Sequence, residues 1–550
     1  MKKDIWTLTL LSSVYIFASI THANGYVSKY EVPVDIPVPT GIVTCSGESG
    51  VNPKSKDEYI IRDGEGWNQI NNIAYNKFFV CPGDYTYRGV IKLTKSGSSG
   101  KYRYIVYWRD TNYSAYEHPY RMKESDRAKV KGIHFEGADF IIADRLAVIP
   151  TDTMAIFFPG DANADDNIVN RVWTDGSNAK SYFVYLNAIY WTNDRNTIQN
   201  SVISSCPLWF REDSVGLEIG SWTNGTRIIN NEFFDCGHQL QLGGTPTSNA
   251  GGGTLIENND FYNTLSMRLK REACEPAYWV SRGWSKQKSA NDAQRITKGD
   301  PEYFDPNGPC GCNEGLLSFK YGAKRGAPAY FIHNRVFQSR GQNNTGCGGT
   351  WGLTSTGISL SPNNEYMFFE GNIISDVSTG FFTTYSSGIN NLTIRSNTFY
   401  HIKTFYPKGE AAGAVVLNNP FGSKMEYTYN TIVDGPYEES KNVSGWLRPV
   451  NNDIVVACNL VINGGSLFRG SAGKNTKAEK NVYIGQSQNM NEPGAVTYSL
   501  PEAKLTDYCY NRKLITGPEK ACIESIVPTN KSPFLRHCSD YYTIHGYGAH

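Results

Sequence analysis

Two stretches, I-I-N-N-E-F-F at Ile228–Phe234 and L-I-E-N-N-D-F at Leu255–Phe261, decide how the rest of the chain reads. In each, an apolar pair leads to an asparagine, one further residue, and apolar residues again. The phrase returns as T-I-Q-N-S-V-I (Thr197–Ile203), Y-F-I-H-N-R-V-F (Tyr330–Phe337) and F-F-E-G-N-I-I (Phe368–Ile374). Weaker copies follow at Leu392–Phe399, Glu426–Ile432, Val455–Val461 and Ala478–Tyr483. The asparagines stand at 200, 231, 259, 334, 372, 397, 430, 459 and 481, mostly 22 to 38 residues apart, with one interval of 75. Short alternating strands at that period, with no 3.6-residue apolar pattern, read as rungs of a parallel β-helix whose neighbours bury a shared interior. Leucine-rich repeats are disfavoured, because their Leu spacing is missing. An asparagine at a fixed corner can bond backbone groups, tolerate a left-handed turn and stack on the next rung.

The rest of the chain is organised around this repeat. Residues 1–23 read as a secretory signal, with Lys2 and Lys3, an apolar stretch from Leu10 to Ile20, and Thr21-His22-Ala23 before Asn24. Residues 24–485 form one all-β solenoid with an insertion at about 264–312. Residues 486–550 lose the phrase and carry Cys509, Cys522 and Cys538, so they read as a disulfide-held cap over the open strand edges. All 12 cysteines follow the signal, which suits disulfides in a secreted or periplasmic protein. With 53 Lys+Arg against 52 Asp+Glu, the net charge of +1 lacks the basic signature of a nucleic-acid binder. After the signal no apolar run is long enough to span a membrane. A monomer is expected.

Alternation identifies which strand residues face outward. In G-L-E-I-G, Leu217 and Ile219 go in and Glu218 goes out; in Q-L-Q-L-G, Gln239 and Gln241 go out. In N-E-G-L-L-S-F-K, Ser318 and Lys320 go out, with Glu314 near the strand start, and in G-I-S-L-S the outward pair is Ser359 and Ser361. Stacked in successive rungs, these residues would form a polar groove able to take a long sugar chain. The long interval before Asn334 adds Tyr278, Trp279, Trp284 and Tyr303, and residues 266–340 hold 13 Lys/Arg against 7 Asp/Glu. Positive charge beside aromatic rings suits an anionic polysaccharide, the expected partner.

From about residue 55 to 485 the chain resembles the right-handed parallel β-helix proteins of the pectate-lyase-like superfamily. The segment V-C-P-G-D-Y-T-Y-R-G-V-I-K-L (Val80–Leu93) and the rung G-I-H-F-E-G-A-D-F-I-I (Gly132–Ile142) are similar to the first rungs of polysaccharide lyase family six, the alginate and chondroitin lyases. The run G-L-L-S-F-K-Y-G, then Y-F-I-H-N-R-V-F-Q-S-R-G, then G-I-S-L-S-P-N resembles that family's catalytic rungs. The resemblance implies a lyase in which Lys320 is the base. Ser361 stands where the family pattern has arginine, a place Arg335 or Arg340 could fill. Calcium is the cofactor the resemblance raises; Glu314 lies near the family's ligands, one residue out of register and without the paired second acid.

β-Elimination needs a base for the C5 proton of a uronate and cations to hold the carboxylate and the enolate-like charge. Lys324, Arg325 and Arg335 are the cations expected to lower the pKa of Lys320. Tyr321 is the candidate proton donor to the leaving oxygen and His238 a reserve acid or base. Two other functions remain open at this point: a glycoside hydrolase using Glu218 and Glu314 as its carboxylate pair, and a non-catalytic glycan-binding adhesin.

Overall fold

The computed structural model describes residues 31–109, 117–151, 153–159, 164–177, 189–191, 194–205, 215–219, 223–236, 238–243, 252–262, 315–319, 326–337, 356–360, 364–375, 379–383, 390–400, 413–416, 423–433, 453–463, 475–485, 492–517 and 520–538, with Val377, Ile402 and Leu467. Among these residues, three sheets of 15, 14 and 10 strands run along a right-handed β-helix. All their pairings are parallel except Gly50–Val51 with Glu58–Ile61, at one edge of the first sheet. One rung shows the plan: Arg227–Ile229 lies in the first sheet, Glu232–Phe234 in the second and His238–Leu242 in the third.

The alternation read from the sequence sets the interior. Ile228, Ile256, Phe331, Phe369 and Ile394 stand in register in the first sheet. Phe233, Phe261, Val336, Ile374 and Phe399 do so in the second, and Leu217, Leu240, Leu317, Ile358 and Phe381 in the third. All fifteen are buried in one continuous core. Burying each such side chain contributes about 1.5 to 3 kcal/mol, so rung-to-rung stacking is the main source of stability.

The corner between the first and second sheets carries the asparagine ladder. The Asn334 side-chain amide donates to Ile256 O at 2.9 Å and to Asn372 Oδ1 at 3.2 Å, while its own Oδ1 accepts from the backbone and side chain of Asn259, both at 2.9 Å. The same pattern runs from Asn231 through Asn259, Asn334, Asn372, Asn397, Asn430 and Asn459 to Asn481, where Glu492 takes the last amide. Asn200 is a correction to the register. The inner place in its rung belongs to Ser201, whose N–H donates to Asn231 Oδ1, and Asn200 stands one residue earlier. The left-handed residue is likewise the one before each ladder position: Asn200, Asn230, Asn258 and His333 have φ of 54°, 57°, 57° and 55°. The inner asparagine therefore supplies hydrogen bonds, and its predecessor makes the turn.

Both ends of the described chain fold back along the coil. Val43 packs with Ile60, Phe79 and Val106 on the outside of the first sheet, fastened by the Cys45–Cys81 disulfide. The described residues of the C-terminal stretch, read from the sequence as a cap, add Val496–Tyr498 at the edge of the second sheet and then form an antiparallel hairpin, Leu505–Lys513 with Lys520–Pro528, laid along the outside of that sheet. Tyr510, Ile523 and Val527 pack there on Trp173, Phe234, Tyr262 and Phe337. The reason is the second sheet's outward aromatic row, which leaves apolar surface to cover. Cys509–Cys522 bridges the hairpin and Cys458–Cys538 ties the tail to a rung. No helix among the described residues is long and apolar enough to cross a membrane.

Candidate functional site

The third sheet holds the outward row that alternation singled out. Lys92, His134 and Phe157 lead the row in register, and Glu218, Gln241, Ser318 and Ser359 continue it further along. The strand Gly315–Phe319 is fixed between His238–Leu242 and Thr356–Leu360 by Leu240↔Leu317↔Ile358, so Gln241, Ser318 and Ser359 line up by necessity. Gln241 donates from Nε2 to Glu218 Oε1 at 3.3 Å. Glu218, Gln241 and Ser318 are only 5–6 % exposed, and Ser359 is half-buried. A polar row so withdrawn from water strengthens any hydrogen bond it makes to a ligand.

Two more groups of this row escaped the sequence reading. Lys92 pairs with Glu136 at 2.9 Å. His134 lies 3.4 Å from Met154 O and edge-on to Phe157, and burial holds its pKa below the usual imidazole range, so it is neutral near pH 7. The alternation of V-I-K-L and G-I-H-F carried both signals.

Other expected residues are placed elsewhere. Arg335 belongs to the second sheet, in the strand Arg335–Phe337, and is 1 % exposed. Its Nε donates to Asp260 Oδ1 at 2.5 Å and its Nη1 to Tyr510 O at 3.2 Å. It is thus a buried structural cation under the hairpin, and it neither faces the third-sheet row nor fills the place of an arginine at 361. Gln239 is fully buried, its amide donating to Tyr262 O at 3.1 Å, so it braces the corner between the second and third sheets. His238 pairs in register with Val215 at the strand start and is buried, on the inward parity of Leu240 and Leu242. Lys320, Tyr321, Lys324, Arg325, Arg340, Ser361, Trp284 and Glu314 lie outside the described residues. With Glu314 among them, no group of three His, Cys, Asp or Glu side chains among the described residues converges as a metal site.

No family model matches the chain, and no curated protein matches it. Solved structures do. The alginate lyase AlyGC of polysaccharide lyase family six superposes with a TM-score of 0.45 at 12% identity, covering 90% of this chain and 56% of that one. An alginate lyase in a complex structure gives 0.37 at 12% identity, covering 84% and 90%. A mannuronic acid specific family-six lyase from human gut microbiota gives 0.34 at 12%, covering 80% and 82%. The chain therefore spans little more than half the length of the first of these. The likeness is one of architecture, and the fold itself stands on the strand register given above.

Proposed function

We propose that this chain is an exported polysaccharide lyase that cleaves an anionic, uronate-containing polysaccharide by β-elimination. The observation that carries the reading is the in-register polar row Glu218, Gln241, Ser318 and Ser359 on the third sheet. Lys320 follows directly on Phe319 of that sheet, and the basic, aromatic stretch of the sequence leads into the same strand. Glu218, Gln241, Ser318 and Ser359 bind sugar hydroxyls. Lys324, Arg325 and Arg340 draw the uronate carboxylate in and hold the negative charge that develops on it. Lys320, its pKa lowered by these cations, takes the C5 proton. The C5 electron pair forms the C4–C5 double bond as the C4–oxygen bond breaks, and Tyr321 returns a proton to the leaving oxygen.

Incubation with alginate, pectate and glycosaminoglycans is expected to yield unsaturated ends that absorb in the ultraviolet. Lys320→Ala is expected to lower that rate by roughly 10²–10⁴-fold. A fully active Lys320→Ala overturns the mechanism. New reducing ends without ultraviolet absorbance would point instead to hydrolysis with Glu218 as one carboxylate. Binding without any product would leave a glycan adhesin.

A further inference from the structure

The outer residues of the asparagine corner line a second cleft, of about 420 Å³, across the coil from the third sheet. One wall is the left-handed row Asn200, Asn230 and Asn258; the other comes from the C-terminal hairpin and Arg121, with Lys513 at its edge. The N-terminal arm reaches this row. Asn200 Nδ2 donates to Glu31 Oε1 at 2.7 Å and Asn230 Nδ2 to Glu31 Oε2 at 3.1 Å. Gln199 fixes the arm there, accepting from Val32 N at 3.0 Å and donating to Val32 O at 2.9 Å. A carboxylate is therefore already held by two carboxamides of successive rungs.

The next amide in the row is left incomplete. Asn258 Nδ2 donates to Asn230 Oδ1 at 2.6 Å, but Asn258 Oδ1 is buried with no hydrogen-bond partner among the described residues, in a residue 8 % exposed. A buried acceptor without a donor costs roughly 1 to 3 kcal/mol, so this atom calls for a hydroxyl or N–H from a ligand. The cleft lining carries the acids Glu232 and Asp260 but also the cations Arg121, Arg171, Arg512 and Lys513, and this excess of positive charge favours an anion. Arg121 bonds only the carbonyls of Leu514, Ile515 and Gly517 and has no acidic partner among the described residues. Lys513 is exposed and likewise forms no ion pair among them. Burial first, then Arg121 and Arg171, drives the His118 ring in the cleft wall down to about 3.

We propose that this cleft binds a uronate residue of a glycan, and that the Glu31 carboxylate is its internal stand-in. One sugar ring offers both things the cleft lacks or holds by proxy: a carboxylate for Asn200 and Asn230, and a hydroxyl for Asn258 Oδ1. An acidic side chain supplies only the first, as Glu31 itself demonstrates by leaving Asn258 unmet. Exchange of Glu31 for the ligand swaps like hydrogen bonds, and the gain comes from Asn258, Arg121 and Lys513. The site shares with the proposed function only its ligand class, and it does not depend on elimination.

The test is titration calorimetry on the full chain after signal removal, carrying Lys320→Ala to prevent turnover. The probes are hexamers of mannuronate, guluronate and galacturonate, their carboxyl-reduced forms, and hexaglutamate. At least one uronate hexamer is expected to bind about threefold or more tighter when Glu31→Ala removes the internal competitor, and roughly fivefold weaker with Lys513→Glu; the reduced forms lose this component. Lys513 is exposed, so its variant keeps the fold, checked by an unchanged melting curve. The proposal is overturned if no uronate hexamer shows binding that responds to both changes, or if only hexaglutamate does. A chain that makes no unsaturated product yet shows this binding would sink the lyase reading and leave the cleft standing.

Discussion

Inside the coil, Phe261 of the second sheet and Leu240 of the third are equally buried and serve the same purpose. Outside, their neighbours meet different fates. On the second sheet Glu232, Asp260 and Arg335 stand in one outward row, and Arg512 from the hairpin joins them, so two acids and two cations meet beneath a later part of the chain, with Glu232, Asp260 and Arg512 also lining the cleft beside the hairpin. On the third sheet the row Glu218, Gln241, Ser318 and Ser359 bears one acid and neutral polar groups. The first arrangement pairs acids with cations across an interface, and its hydrogen bonds among the described residues go to other parts of the protein. The second keeps neutral donors and acceptors in a low-dielectric setting, the condition under which a ligand's groups are worth most. Charged residues on a solenoid's exterior are therefore poor markers of a site until their cover is known.

The comparison can be broken most forcefully at Arg335. Arg335→Ala leaves Asp260 buried with a weakened partner set, and is expected to cost about 3 to 5 kcal/mol in urea unfolding while sparing turnover by the folded fraction. Replacing both members, Asp260→Leu with Arg335→Met, should recover most of that loss, because a buried pair exchanged for apolar groups is often neutral. An Arg335 variant that folds normally and loses catalysis would place the chemistry on the wrong sheet in our reading.

Next in size is the pH response of the second-sheet row. Burial, and then Asp260, pushes the Glu232 carboxyl up to about 7 from an ordinary value of 4.5. The folded chain thus keeps a proton that the unfolded chain releases. Its stabilising contribution is complete below about pH 4.5 and is lost as pH rises to about 7, by about 3 kcal/mol. Glu232→Gln should flatten that slope in unfolding curves taken between those pH values. A slope that persists in the variant would assign the titration elsewhere.

Smaller effects sharpen the contrast. Tyr510→Phe removes the hydroxyl that lies 3.2 Å from Thr398 Oγ1, and is expected to cost about 1 kcal/mol without changing KM. Ser359→Ala, on the half-buried third-sheet row, should change stability by less than about 0.5 kcal/mol yet raise KM for the polysaccharide. Equal stability costs at both positions would mean that the third sheet is covered as the second is.

Much of this was legible from residues alone. Alternation placed Leu217, Leu240, Leu317 and Ile358 inside and Glu218, Gln241, Ser318 and Ser359 outside, since strand period and burial are local properties. The asparagine phrase located the corner in eight copies and slipped by one residue at Asn200, where Ser201 performs the ladder's hydrogen bonding. Arg335 read as a cation available to substrate, because nothing near it in sequence hints at Asp260, 75 residues earlier, or Tyr510, 175 residues later. Gln239 failed for a related reason: its partner is a backbone carbonyl on another sheet.

The sequence by itself determined the rung, its corner and the inward face of each strand, because each follows from side-chain period and turn chemistry within a few residues. Only the tertiary structure decided which outward faces other parts of the chain cover. That depended on where the two ends of the described chain come to lie, Glu31 against Asn200 and Asn230, and the hairpin against Trp173, Phe234 and Tyr262. Such long-range closure is driven by apolar surface and buried charge that must find cover, and no local pattern encodes what will supply it.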